Sequence, residues 1–136
     1  MELEVIIQKS DNRYELVINP NKNYAINFGL FGEGANVQEA IENFNISLAD
    51  IKEVYTEEGK DFPADLSFSF KYDVASFLEY YSKVLTLAGL ERLTGVAQGQ
   101  LSHYLNGHRT PSKRTIEKIE KSLHNFGTEL NQVQFI

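Results

Sequence analysis

Residues 87–123 have the sequence LAGLERLTGVAQGQLSHYLNGHRTPSKRTIEKIEKSL. The pattern predicts two short helices that meet at Gly95, the first capped by Thr86 and the second running from about Gln98 to Leu105. Glycine suits this junction because it adopts a turn conformation that strains any residue with a Cβ atom. Apolar side chains fall where the two helices must bury each other, at Leu90, Val96, Leu101 and Leu105. The stretch therefore predicts a packed pair of short helices.

The other face of the second helix carries polar side chains that can contact DNA. Glutamine can pair with adenine through two hydrogen bonds, and serine and histidine can hydrogen-bond in the major groove. Two short helices with such a face are typical of a DNA-binding helix-turn-helix. We predict that the base-reading residues are Gln98, Gly99, Ser102 and His103.

Basic residues follow this helix closely. Between residues 92 and 121 six lysines and arginines stand against two glutamates, an excess that suits the phosphate backbone of DNA. Lys118 and Lys121 have an alternative role, as partners of Glu117 and Glu120 on a solvated face. We predict that the contacts to the DNA backbone come from Asn106, Arg109, Lys113 and Arg114.

The stretch resembles the Xre (lambda-repressor-like) helix-turn-helix family over about fifty residues. The matching residues are Gly95-Val96, Leu101-Ser102, Asn106-Gly107, Pro111-Ser112, Ile116, Ile119 and Leu123. The resemblance implies that Gln98 and His103 contact bases and that Asn106, Arg109 and Lys113 lie near the backbone. Two positions depart from the family pattern. Glu91 replaces a small residue, and Ala97 replaces the usual hydroxyl cap of the recognition helix.

Ser112 is predicted to cap a last helix. Its apolar positions, spaced by three and four residues, are Ile116, Ile119, Leu123, Phe126, Leu130 and Val133. The spacing would let the helix continue past Gly127, but Val133-Gln134-Phe135 also alternates like a strand. We favour a break near Gly127. Two surfaces are candidates for pairing two copies of the chain: an open sheet edge, and the part of this stripe formed by Leu123, Phe126, Leu130 and Val133. We favour the stripe, because Ile116 and Ile119 are available for packing on the helical core.

The first third of the chain alternates between apolar and polar residues. Three strands are predicted, with inward faces Leu3-Val5-Ile7, Tyr14-Leu16-Ile18 and Tyr24-Ile26-Phe28-Leu30. Gly32-Glu33-Gly34 is expected to interrupt the strand pattern. A helix follows, capped by Asn36 and Glu39 and ended by Gly59. A fourth strand follows at residues 66–70. Residues 1–71 are thus predicted as a small antiparallel βββαβ sheet domain, and residues 72–136 as an all-α helix-turn-helix domain, in the α+β class.

The first of these domains resembles the HicB-like antitoxins. The resemblance rests on the βββαβ order and on the stretch Gly32 to Ala40 at the start of the helix, with Asn19-Pro20-Asn21 as a possible counterpart of a family turn. It implies a partial RNase H-like fold and a cognate small, basic toxin that cleaves RNA. Residues 1–70 carry a net charge of −8 and residues 71–136 a net charge of +2, which is compatible with such a partner.

Catalysis is not expected. Glu4 and the helix acids fall out of phase with the apolar residues, so they should face solvent and not converge on a metal ion. The chain has no cysteine, and its three histidines have no carboxylate cluster at ligand spacing. No cofactor, no metal site, no membrane span and no export signal are predicted, and a cytoplasmic location follows as an expectation.

The sequence therefore favours a DNA-binding transcriptional regulator that acts as a homodimer. In its more specific form, this hypothesis describes an antitoxin that represses its own operon. The main alternative is an adaptor whose helical domain binds a protein, and a hydrolase is the third possibility.

Overall fold

A computed structural model describes the whole chain, Met1–Ile136. The residues form two compact units, Met1–Tyr80 and Tyr81–Ile136. The predicted division between residues 71 and 72 lies earlier in the chain than this division. The first unit contains the sheet, in an α+β arrangement, and the second is helical. The elements are β1 (Glu2–Ser10), β2 (Arg13–Ile18), β3 (Phe31–Gly34), α1 (Val37–Glu57), β4 (Ser67–Tyr72), α2 (Val74–Tyr81), α3 (Leu87–Thr94), α4 (Gln98–Leu105) and α5 (Lys113–Asn131).

The sheet has the strand order β3-β2-β1-β4. The first three strands form the predicted antiparallel meander, and the order βββαβ is confirmed. The prediction that the whole sheet is antiparallel is wrong, because β4 pairs with β1 in parallel, with Phe68 opposite Leu3. Helix α1 connects the two edge strands, β3 and β4, and returns the chain to the end of the sheet where β1 began, so the sheet is mixed.

Helix α1 covers one face of this sheet. Leu3, Val5 and Ile7 of β1 are buried, and Phe44 of the helix lies edge-on to Phe68 of β4. The predicted cap is confirmed, since the Asn36 side chain accepts a hydrogen bond of 2.8 Å from the Glu39 amide. These contacts form the core of the first unit.

The third strand lies further along the chain than predicted. Tyr24, Ile26, Phe28 and Leu30 alternate with exposed residues as expected, but they are not paired with any strand. This segment packs along the core instead, with Phe28 against Tyr55 and Phe62. The third strand is formed by residues 31–34, where the sequence predicts an interruption of the strand pattern.

Gly32 and Gly34 are in this strand because α1 passes directly over it. A Cβ atom on Gly32 would lie in severe overlap with the Ala40 carbonyl oxygen and 2.5 Å from the Phe44 amide nitrogen, and one on Gly34 would lie 2.6 Å from the Ala40 amide nitrogen. The two glycines therefore permit close contact between helix and strand, and they are no sign of a turn here.

Glu4 is buried, so the prediction that it faces solvent is wrong. Only 3% of its surface is exposed, and its two carboxylate oxygens contact the Lys71 and Lys22 ammonium groups at 2.8 and 2.6 Å. The segment after β2 is fixed to the same residue, because the Glu4 amide donates to the Tyr24 hydroxyl at 2.9 Å. The charge is tolerated because two cations neutralise it.

Helix α5 is longer than predicted. It begins after the expected cap Ser112, whose hydroxyl accepts a hydrogen bond from the Thr115 amide, but it continues through Gly127 to Asn131. The break that we favoured near Gly127 is therefore wrong. A glycine within a helix costs about 1 kcal/mol relative to alanine, which is too little to end a long amphipathic helix.

None of the helices is long and apolar enough to cross a lipid bilayer. No group of three or more histidine, aspartate or glutamate side chains is placed to hold a metal ion.

Candidate nucleic-acid interface

The junction between α3 and α4 has the geometry that the sequence predicted. Gly95 has a φ of 76°, and its amide donates to the Glu91 carbonyl at 2.8 Å, which ends α3. Val96 is 8% exposed and fills the angle between the helices. The Thr94 hydroxyl joins both sides, because it donates to the Leu90 carbonyl and accepts from the Val96 amide. These hydrogen bonds join the end of α3 to the turn that precedes α4.

Helix α4 begins without a side-chain cap from its own N-cap residue, Ala97. The Glu91 carboxylate takes this role, since it accepts a hydrogen bond of 3.2 Å from the Gln98 amide. A carboxylate at a helix N-terminus also interacts favourably with the helix dipole. The two departures from the family pattern therefore compensate each other: the acid on α3 replaces the hydroxyl missing at residue 97.

The structure brings the predicted base-reading residues together on the outer face of α4. Leu101 and Tyr104 are buried against the other helices of the unit. Gln98, Gly99 and His103 are exposed, and Ser102 is half-buried. A Cβ atom on Gly99 would meet nothing within 4 Å, so no contact within the chain requires a glycine there.

The loop after α4 is held against the end of that helix. The His103 carbonyl accepts hydrogen bonds from the His108 amide at 2.9 Å and from the Arg109 amide at 3.3 Å. The two imidazole rings lie 5.9 Å apart. This loop carries the chain from α4 to the basic start of α5.

The predicted backbone-contacting residues are exposed, namely Asn106, Arg109, Lys113 and Arg114. None of the three cations forms a salt bridge. Lys113 and Arg114 occupy the first turn of α5, which contains no acidic residue. Cations are unfavourable at that end of a helix, where the dipole is positive.

Lys118 has a structural position that the sequence did not indicate. Its ammonium nitrogen lies 3.3 Å from the place that a Cβ atom on Gly95 would take, at the carboxyl end of α3. A cation there interacts favourably with the helix dipole. The predicted pairing of Lys118 and Lys121 with Glu117 and Glu120 is not observed as salt bridges. Only the three-dimensional arrangement brings α5 beside the turn, so the sequence pattern carried no signal for this contact.

Comparison with protein families identifies residues 83–124 as a helix-turn-helix, a match that includes α3, α4 and much of α5. This confirms the helix-turn-helix resemblance of the second unit. No curated protein and no solved structure matches the chain significantly. The HicB-like resemblance of the first unit has no support from these comparisons.

Proposed function

We propose that this chain, a DNA-binding transcriptional regulator by its helix-turn-helix, binds its operator as a homodimer with α4 in the major groove. The proposal rests on the outer face of α4, where Gln98, Ser102 and His103 lie together. None of these three side chains is buried in the core. In a helix-turn-helix such a face enters the groove and contacts base edges. Gly99 would let the helix backbone approach the DNA closely.

The start of α5 would hold the phosphate backbone. Free amide groups at a helix N-terminus bind anions, and Lys113 and Arg114 add two unpaired cations at the same place. Their unfavourable position in the isolated chain becomes favourable once a phosphate neutralises them. Arg109 would contact the same strand from the loop.

Replacing Gln98 by alanine is expected to relax sequence specificity. One bidentate base contact is worth about 1–3 kcal/mol of discrimination, so the variant should lose most of its preference at one base pair of each half-site. Duplexes selected from a random pool at low salt give the operator, and fluorescence anisotropy then compares the operator with its single-base variants.

Gln100→Ala is the matched control for this substitution. Gln100 lies on the same helix, but it is half-buried and its amide donates to the Tyr104 hydroxyl at 2.9 Å. Its replacement should leave discrimination unchanged. A selection that enriches no duplex would exclude DNA binding and favour the alternative, in which the helical domain binds a protein.

A homodimer follows from the small size of the recognition surface. Eight residues of α4 read only a few base pairs, too few to select one site in a genome. Two copies separated by about 34 Å would read two half-sites. Leu130 at the end of α5 and Val133 just after the helix, each about half exposed, offer an apolar surface for this pairing.

We further propose that the first unit neutralises a small basic toxin and that the protein represses the operon of this pair. Residues 1–80 carry a net charge of −9. Part of this charge forms an acidic ridge along the exposed side of α1, opposite the residues that face the sheet. The acidic residues of the ridge, all exposed and none in a salt bridge, are Glu39, Glu42, Asp50, Glu53 and Glu57. Carboxylates three or four residues apart repel one another, and a cationic partner would relieve that repulsion.

Charge reversal on the ridge tests the antitoxin role. We expect a small basic protein to be encoded beside this chain and to be captured by the full-length protein. Glu42→Lys/Glu53→Lys should weaken this capture by more than about tenfold, because like charges then meet. Glu117→Lys/Glu120→Lys makes the same change in net charge on α5 and serves as the control. Equal capture by both variants would contradict a role of the ridge.

A further inference from the structure

Two histidine side chains lie side by side at the carboxyl end of α4. His103 is in the last turn of this helix, and His108 follows in the loop. Gly107, with a φ of 75°, turns the chain back, so that the His108 amide donates to the His103 carbonyl at 2.9 Å. The centroids of the two imidazole rings are 5.9 Å apart, and both side chains are exposed. The loop thus forms a histidine pair, His103 and His108, in which each member can gain a proton.

The chain around the histidine pair contains basic groups and no acid. Residues 92–116 include no aspartate and no glutamate. Arg109 follows His108 directly, and Lys113 and Arg114 begin α5 a few residues later. Neither histidine of the pair forms a salt bridge. Protonation of the pair would therefore add positive charge to a surface that is already cationic.

No carboxylate on α3, on α4 or in the loop is placed to neutralise this pair. Helix α3, which packs against α4, carries Glu91 and Arg92. The Glu91 carboxylate accepts from the Gln98 amide at the amino end of α4, whereas His103 is in the last turn. The hydroxyl of buried Tyr104 accepts a hydrogen bond from within the same helix. Neither these two helices nor the loop thus offers an anion to a protonated histidine pair.

We propose that His108 contacts a DNA phosphate in its protonated form, so that operator binding takes up protons. The inference rests on the proposed function, in which α4 lies in the major groove. The first residues of a recognition helix contact base edges, so its carboxyl end and the loop after it lie toward the sugar-phosphate backbone. Histidine is the side chain whose charge changes between pH 5 and pH 8, and a phosphate attracts the imidazolium form.

The histidine pair couples protonation to DNA binding through its charges. In the free chain two imidazolium groups at this distance repel each other, and both repel Arg109. A phosphate placed against the loop offsets that repulsion, so DNA favours the charged form more than the free chain does. Such coupling is reciprocal, because DNA can favour protonation only if protonation favours DNA binding by the same factor. Operator affinity should therefore rise as the pH falls.

The affinity for the operator at pH 6 and at pH 8 tests the proposal. It is measured by fluorescence anisotropy at constant ionic strength, with EDTA present to exclude a metal ion held between the two imidazoles. A hydrogen bond from a charged donor is worth about tenfold in affinity, so the wild type should bind about tenfold more tightly at pH 6. The slope of log affinity against log salt concentration should also be steeper at pH 6, by about 0.9 for one additional phosphate contact.

His108→Gln should reduce the ratio of the two affinities from about tenfold to less than about threefold, because the glutamine amide gains no proton. His124→Gln is the matched control. His124 is the third histidine of the chain and is exposed on α5, so its replacement removes the same titratable group from another place. It should leave the ratio at the wild-type value. Circular dichroism verifies that both variants are folded.

Calorimetry measures the proton uptake directly. Titrations of the protein with its operator at pH 7, in two buffers of different ionisation enthalpy, give the number of protons that are taken up on binding. The wild type and His124→Gln should take up protons equally, and His108→Gln should take up fewer. A purely structural role of His108 in the loop would instead lower the affinity of His108→Gln equally at pH 6 and at pH 8 and leave the proton uptake unaltered.

The inference is overturned if the wild type binds its operator with the same affinity at both pH values and without proton uptake. It is also overturned if His124→Gln reduces the pH dependence as much as His108→Gln does. In both cases the chain still binds its operator, so the proposed function stands. A selection from random duplexes that enriches no sequence at pH 6 or at pH 8 would contradict the proposed function and this inference together.

Discussion

Replacing Arg109, Lys113 and Arg114 together by glutamine is expected to remove most of the DNA affinity without unfolding the protein. The three cations are exposed and form no salt bridge, so the fold does not depend on them. If each contacts one phosphate at about 1 kcal/mol, affinity should fall about a hundredfold. The slope of log affinity against log salt concentration should decrease by about 2.7, since each neutralised phosphate contributes about 0.9.

The thermal stability of the same variant should increase slightly, although its DNA affinity decreases. Lys113 and Arg114 lie in the first turn of α5, where positive charge opposes the helix dipole, so their removal should slightly raise the stability of the second unit. Glutamine at Lys9, Lys52 and Lys60 in the first unit makes the same change in net charge and serves as the control. The proposal of a defined phosphate site is contradicted if this control lowers DNA affinity and the salt slope as much as the triple variant does. General electrostatic attraction would then explain the DNA binding.

The helical half of the fold could be predicted well because its signals are local. Thr86, Gly95 and Ser112 mark helix ends through hydrogen bonds or turn conformations that involve only a few neighbouring residues. The polar face of α4 follows from helical periodicity in the same way. The contact of Glu91 with Gln98 was missed because a carboxylate seven residues away is no standard cap.

The errors in the first half arise where distant parts of the chain meet. The burial of residues 24–30 alternates as a strand would, but the ladder position beside β2 is taken by Gly32 and Gly34. Only these glycines allow α1 to lie so close to the sheet, and their role depends on residues of the helix itself. Alternation shows which side chains are buried, and it does not show which segment has hydrogen-bonded neighbours.

The burial of Glu4 also depends on residues that are distant in the sequence, Lys22 and Lys71. Its environment leads to a prediction about stability in acid. Hydrogen bonds from Lys22 and then Lys71 lower the pKa of its carboxyl group from 4.5 to about 2. A carboxyl group that is more acidic in the folded state stabilises that state above its unfolded pKa. This stabilisation is complete above about pH 4.5 and is lost as the pH falls toward 2.

Glu4→Gln should therefore destabilise the first unit at neutral pH and make its stability depend less on pH between 4.5 and 2. The amide cannot neutralise Lys22 and Lys71, and it leaves the start of the 19–30 segment without its ionic contact. Urea unfolding followed by circular dichroism at pH 7 and at pH 3 measures both effects.

Glu15→Gln is the matched control for this variant, because Glu15 lies on the same sheet face but accepts its hydrogen bond from Gln8 and not from a lysine. At pH 7 the urea concentration at its unfolding midpoint should be close to that of the wild type. Neutral-pH stability of Glu4→Gln equal to that of the wild type would mean that the two lysines only offset the cost of burying the carboxylate. In that case the apolar contacts of Phe28 with Tyr55 and Phe62 would hold the segment in place.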